Sequence, residues 1–125
     1  MKVLMSIKPE YANKIFDGSK KYEFRRAIFK HPNITTIIVY ASSPVQKVIG
    51  EFEIDKIISC DPESLWRKTR KHSGISEDFF FEYFGEKECG YAIKIKSTTK
   101  YKKALCIKND FDASPPQSFI YINEA

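Results

Sequence analysis

The order of hydrophobic periods constrains this chain more than any other feature. Period-two alternation comes first. Val3, Met5 and Ile7 alternate with Lys2, Leu4, Ser6 and Lys8, which predicts a strand with one face fully buried and the other partly so. Pro9 then suits the first position of a helix, where its missing N–H costs nothing. Tyr11, Ala12, Ile15 and Phe16 form one apolar stripe, and Gly18 follows where a helix ends, so the helix spans 9–17. Alternation resumes over Lys20–Arg26, with Tyr22 and Phe24 on one face and Lys21, Glu23 and Arg25 on the other. The β-branched run Ile34–Ala41 reads as a central strand, stopped by Ser42-Ser43-Pro44. Val48–Ile58 reads as a longer strand, with Gly50 marking a bulge or a close backbone approach.

Two helices come next. Asp61-Pro62 caps and starts the first, which runs to about His72 with Leu65, Trp66 and Thr69 inward and Gly74 as its stop. Ser76 caps the second, whose apolar face is Phe79, Phe80, Tyr83 and Phe84 and whose end is Gly85. Tyr91, Ile93 and Ile95 alternate with lysines in a further strand, and a Pro115-Pro116 loop precedes a last strand, Phe119–Ile122. Strands outnumber helices and do not alternate with them regularly. That argues against a doubly wound parallel sheet and for an α+β fold: a small, mostly antiparallel, curled sheet or barrel with about three flanking helices.

At 125 residues the chain has the length of one domain, read as 1–125 without linker, repeat or low-complexity tract. Its longest apolar runs, such as Ile37–Ala41, are far short of the roughly 20 residues that span a bilayer. The apolar stretch at the N-terminus is too short for a secretory signal. Cys60, Cys89 and Cys106 are scattered and form no C-x-x-C pair, and His31 and His72 are too few for a structural zinc site. No metal or cofactor is expected. An odd number of isolated thiols points to a reducing, cytoplasmic setting.

The positive charge is localised. Residues 1–31 carry eight basic side chains against three acids, which accounts for the whole net charge of +5; residues 32–125 sum to zero. Six lysines (94, 96, 100, 102, 103 and 108) also crowd the stretch from Cys89 to Lys108. Charge confined to such segments can form a face for polyanions, nucleic acid above all, or simply a solvated lysine-rich surface.

One motif lies in the basic segment. Gly18-Ser19-Lys20-Lys21-Tyr22-Glu23-Phe24-Arg25 fits G-x-K-x-x-E-x-R and resembles the signature of the ASCH domain family, a branch of the PUA-like superfamily. Ser6-Ile7-Lys8-Pro9, Tyr40-Ala41-Ser42-Ser43-Pro44, Val48-Ile49-Gly50-Glu51-Phe52 and Pro115-Pro116-Gln117-Ser118-Phe119 extend the resemblance over nearly the whole chain. It implies a PUA-like β-barrel with a cleft beside the first helix that binds RNA or a nucleotide. Some members are enzymes, an amidohydrolase of acetylated cytidine and a metal-dependent ribonuclease; others have no assigned chemistry and are described as regulators.

The motif also has a physical reading. Gly18 permits the reversal between helix and strand. Arg25 can grip a phosphate or carboxylate through two parallel hydrogen bonds, and Glu23 can orient a base or hold Arg25. These two share a strand face. Lys20 has the opposite parity and joins them only from a turn before regular pleating begins; Lys21 is the alternative cation. A plain ion pair fixing the strand is the competing account.

For a binding site the expected residues are Lys20, Lys21, Glu23, Arg25, Ser42, Ser43 and Gln117. For an enzyme they are Lys20 as base with Glu23 and Glu51 as acids or metal ligands, Glu53 being the alternative to Glu51. Amidohydrolase members carry a nucleophilic threonine where this chain has Glu23. Tyr22, Tyr40 and Trp66 can stack a base, although aromatics at such spacings more often serve the core. RNA or a nucleotide is the expected partner, and a membrane is not. Oligomeric state is not legible.

Overall fold

The computed structural model describes residues 1–123. Its elements are β1 (Lys2–Ile7), α1 (Pro9–Asp17), β2 (Tyr22–Arg25), β3 (Thr36–Ala41) and β4 (Lys47–Cys60). They continue with α2 (Pro62–Thr69), a 3-10 turn (Arg70–His72), α3 (Glu77–Phe84), β5 (Gly90–Leu105), α4 (Ile107–Phe111) and β6 (Phe119–Ile122). The six strands form one mixed sheet in the order β2-β5-β4-β3-β1-β6. β1 and β3 run parallel, because α1 and β2 carry the chain back between them; the other four pairings are antiparallel. This is the α+β architecture that the hydrophobic periods predict. Among the described residues no helix is long and apolar enough to cross a membrane.

Two differences from the sequence reading stand out. A fourth helix, α4, is only five residues long, too short to show a helical period. β5 runs for 16 residues, well beyond the alternating Tyr91–Lys96 segment, since its second half is exposed and lysine-rich and carries no apolar alternation.

Local chemistry explains the boundaries. Asp61 accepts a hydrogen bond from the Ser64 N–H and Ser76 from the Phe79 N–H, so both caps act as expected. Gly18 closes α1 in the left-handed region at φ +88°, where a side chain would be strained. Three cores then build on the sheet. Val3, Met5, Ile37, Val39, Phe52 and Ile93 meet α1 through Ala12 and Ile15 inside the curl. Leu4, Ile38 and Val48 lie on the opposite face, under Ile107 of α4. Phe24 and Ala92 of the β2–β5 edge pack on Leu65 of α2 and on Phe80 and Phe84 of α3.

The sheet curls because β4 and β5 slip register at Val48/Gly50, Glu53/Ile54 and Ile54/Lys56. Such irregularities bend strands and increase twist. The two edge strands therefore approach one another. Arg25 of β2 donates to the Ser118 carbonyl just before β6 at 2.8 Å. The Lys30 and His31 N–H groups donate to the Tyr121 hydroxyl of β6 at 3.0 and 3.1 Å. Side chains thus close a half-barrel that the backbone ladder leaves open.

Gly50 lies against the Phe16 ring of α1. A Cβ there would lie 2.6 Å from the Phe16 ring and 2.6 Å from the Thr99 carbonyl oxygen, which the β4–β5 ladder holds in place. Gly50→Ala is expected to cost about 1–3 kcal/mol through overpacking, read as a lower urea midpoint at unchanged m-value. An unchanged midpoint would show that α1 does not bear on this strand as described.

Candidate nucleic-acid site at the mouth of the curled sheet

A cleft of about 470 Å³ opens where β1 and β3 end, between α1, β2, α3 and the segment leading into β6. Its most buried polar residues come from the motif. Lys20 is 2% exposed and Glu23 is 6% exposed. Glu23 and Arg25 share one face of β2, as period-two geometry requires, and the Arg25 guanidinium donates to Glu23 at 3.2 Å. Lys20 precedes β2, in the turn after α1, so strand parity does not bind it. Its N–H donates to the Lys14 carbonyl at 3.0 Å, which wraps it under the end of α1.

The lysine amine lies in an unusual setting. Nζ donates to the Ser73 carbonyl at 2.6 Å. It also sits 4.8 Å from the centre of the Phe24 ring and 5.4 Å from that of Tyr11. The ring faces favour a cation, but removal from water opposes it more strongly. Burial draws the Lys20 pKa down to about 8, with Lys14 adding to the fall and Glu23 opposing it. Glu23 moves the other way. Burial pushes its carboxyl up, against the pull of Arg25 and Lys20. An amine and a carboxyl with converging proton affinities therefore share one hollow, beside an arginine that stays charged.

Aromatic side chains form part of the wall. Tyr11 and Phe79 face each other with centroids 5.7 Å apart, and Phe79 and Tyr83 stack at 6.3 Å. Lys8 Nζ lies 5.6 Å from the centre of the Phe79 ring. The Tyr83 hydroxyl donates to the Phe24 carbonyl at 3.2 Å, and burial raises its pKa. Ser42, Ser43, Gln46 and Gln117 line the rim.

The structure thus brings Lys20, Glu23, Arg25, Ser42, Ser43 and Gln117 to one cleft. It does not bring Lys21, Glu51 or Glu53 there. Lys21 is exposed, its backbone held by the His72 carbonyl and the Ile95 N–H. Glu51 pairs in register with Ile38 on the far face of the sheet, where it accepts from the Tyr101 hydroxyl at 2.7 Å and meets Lys2 at 3.6 Å. Glu53 accepts from the Thr36 hydroxyl at 2.7 Å, away from the cleft. Of the aromatics weighed for stacking, Tyr40 lines the cleft while buried in the second core. Tyr22 and Trp66 pack against the third core, and Trp66 donates to Glu77.

Tyr11, Phe79 and Tyr83 read in the sequence as core-facing helix residues, and Ser73-Gly74-Ile75 as a helix stop. The tyrosine hydroxyls on otherwise apolar stripes were the available signal for the first group. Nothing local marks the second.

No threonine lines the cleft among the described residues, so the amidohydrolase nucleophile has no counterpart. Glu23 is the one carboxylate there, and no three His, Cys, Asp or Glu side chains gather elsewhere among the described residues. The side chains present do not fit a protein-held metal ion.

A curled α+β half-barrel is the fold of the PUA-like ASCH domains. Residues 5–102 match the ASCH domain, and the chain belongs to that family. It is 32% identical over 126 residues to the ASCH domain-containing ribonuclease of Zymomonas mobilis, covering 97% of this chain and 84% of that protein. It superposes on the crystal structure of ASCH from Zymomonas mobilis with a TM-score of 0.89 at 28% identity, over 98% of this chain and 88% of that one. It also matches part of two Ureaplasma parvum proteins. One is an ATP synthase subunit alpha, at 31% identity, of which the chain spans only 15%; the other is the large ribosomal subunit protein uL22, at 27%, of which it spans 39%.

The buried amine has a thermodynamic signature. Lys20 holds its proton to about pH 8 in the folded chain, against its ordinary 10.5. Between those values the unfolded chain binds the additional proton, so stability rises with pH across the window. Below it, the charged amine costs about 3 kcal/mol relative to the unfolded chain. Urea unfolding from pH 7 to 11 is expected to show Lys20→Met gaining on wild type near neutrality and losing that advantage, by about 3 kcal/mol, toward pH 10.5. Parallel pH profiles would contradict the burial described.

Proposed function

We propose that the cleft binds single-stranded RNA, or a nucleotide as its smallest unit, and that Lys20, Glu23 and Arg25 cleave the RNA chain there. The observation that carries this reading is the convergence of a buried amine, a buried carboxyl and an arginine bonded to that carboxyl in one cleft. The relative named as a ribonuclease supports it. The cleft has the volume of a small-ligand site, which suits a single nucleotide unit. Aromatic walls suit an unpaired base, which stacks on tyrosine or phenylalanine in single-strand recognition. Arg25 and Lys8 supply phosphate contacts, while Ser42, Ser43 and Gln117 reach base edges or the sugar.

The reaction this geometry supports needs no added reactant. The neutral Lys20 amine accepts the proton of a ribose 2′-hydroxyl. The 2′-oxygen bonds to the adjacent phosphorus as the bond from phosphorus to the 5′-oxygen breaks. The Glu23 carboxyl protonates that departing oxygen, and Arg25 offsets the charge on the phosphoryl oxygens. The products are a 2′,3′-cyclic phosphate and a 5′-hydroxyl, and a water returns the proton from Lys20 to Glu23. A reducing, cytoplasmic setting is consistent with the three free thiols. The unit carrying this function is residues 1–125.

Purified chain should bind a short single-stranded RNA with affinity that falls as salt rises, through counterion release. Arg25→Ala should weaken binding about tenfold or more, and Lys20→Ala should retain binding while losing cleavage. The rate should climb as pH approaches 8, where Lys20 loses its proton. Binding without turnover, with and without divalent metal, would leave a binding module; salt-insensitive affinity unchanged by Arg25→Ala would remove RNA as the ligand.

A further inference from the structure

We infer that the strap His72–Ile75, running from the last residue of the 3-10 turn toward α3, is the positioning element for Lys20, with Ser73 and Gly74 as its operative residues. Three contacts tie it to the segment that carries the lysine. The Lys21 N–H donates to the His72 carbonyl at 2.9 Å, Lys20 Nζ to the Ser73 carbonyl at 2.6 Å, and Lys14 Nζ to the Gly74 carbonyl at 3.1 Å. Gly74 lies against the lysine stem. A Cβ at Gly74 would stand 2.5–2.8 Å from Cβ, Cγ and Cδ of Lys20, and its φ of +70° is itself a glycine conformation. Those are the root atoms of the side chain, which cannot swing away as a tip can.

The strap has its own internal brace. Ser73 is 3% exposed, and its hydroxyl donates to the Ile75 carbonyl at 2.9 Å. Ile75 in turn lines the cleft, so one short segment roofs the lysine stem, anchors its amine and shapes the wall. Glu23 and Lys14 act on the amine, the Tyr11 ring lies beside it, and Lys8, Arg25, Tyr40 and Tyr83 are the other charged or titratable side chains that line the same cleft. The strap adds no charge: the His72 side chain is exposed, and what faces inward is backbone, the Ser73 hydroxyl and the apolar Ile75. It acts by excluding water and fixing where Nζ points. The catalytic meaning of this role rests on the proposed reaction; the positional one does not.

The test replaces the strap residues without changing charge. In Gly74→Ala the methyl group must push the lysine stem outward, so the amine regains water. In Ser73→Ala the brace is lost while the backbone acceptor remains. The Lys20 titration is followed by NMR at its ε-carbon in the full chain, with native folding checked from the amide spectrum. Wild type should titrate near 8, and Gly74→Ala at least about one pH unit higher. Ser73→Ala should move the same way by less and stands as the test if Gly74→Ala does not fold. RNA cleavage should shift its pH midpoint by the same amount. A midpoint unmoved in the folded variants overturns the inference. A wild-type chain that titrates as stated but does not cleave RNA overturns the proposed reaction and leaves the strap's role intact.

Discussion

Burying an amine beside a carboxyl and a guanidinium is the constraint on which the rest of this structure turns. Lys20 and Glu23 are nearly inaccessible, yet each can carry a charge, and water is the usual means of stabilising one. The fold substitutes fixed partners: a carbonyl and two ring faces for the amine, a guanidinium for the carboxyl. The substitution is incomplete. The residual cost appears as converging proton affinities.

Arg25 does two jobs at once. It pairs with Glu23 on its own strand and reaches the Ser118 carbonyl across the seam between the sheet edges. Closure of the half-barrel and charge balance in the cleft therefore share one side chain. An open sheet would leave β2 and β6 as exposed edges, prone to pairing with other chains. Curling brings them together, and the register slips in β4 and β5 make the curl possible. The cleft is a consequence of that curvature, since the mouth lies where the parallel pair β1 and β3 ends.

Much of this was legible in residue order. The apolar stripe and Gly18 bounded α1, Asp61 and Ser76 marked their helices, and alternation marked β1, β2 and β4. Glu23 and Arg25 were placed together by parity alone. Glu51 misled because a carboxylate on a central strand reads the same from either face, and only the pairing with Ile38 shows that it faces away from the cleft. α4 escaped notice because five residues cannot display a period of 3.6. Gly74 looked like a helix stop because its contact, the stem of Lys20, lies 54 positions away.

Sequence by itself determined the elements, the α+β class, the localisation of charge and the pairing of glutamate with arginine. These follow from periodicity, capping chemistry and strand geometry over a few residues, where the chain is its own environment. Only the tertiary structure decided that Lys20 joins that pair, that the strap Ser73–Gly74 covers it, and that aromatic rings from two helices wall the space. Those facts depend on which distant segments exclude water from a given atom, and desolvation is a property of the packed volume, not of any stretch of chain.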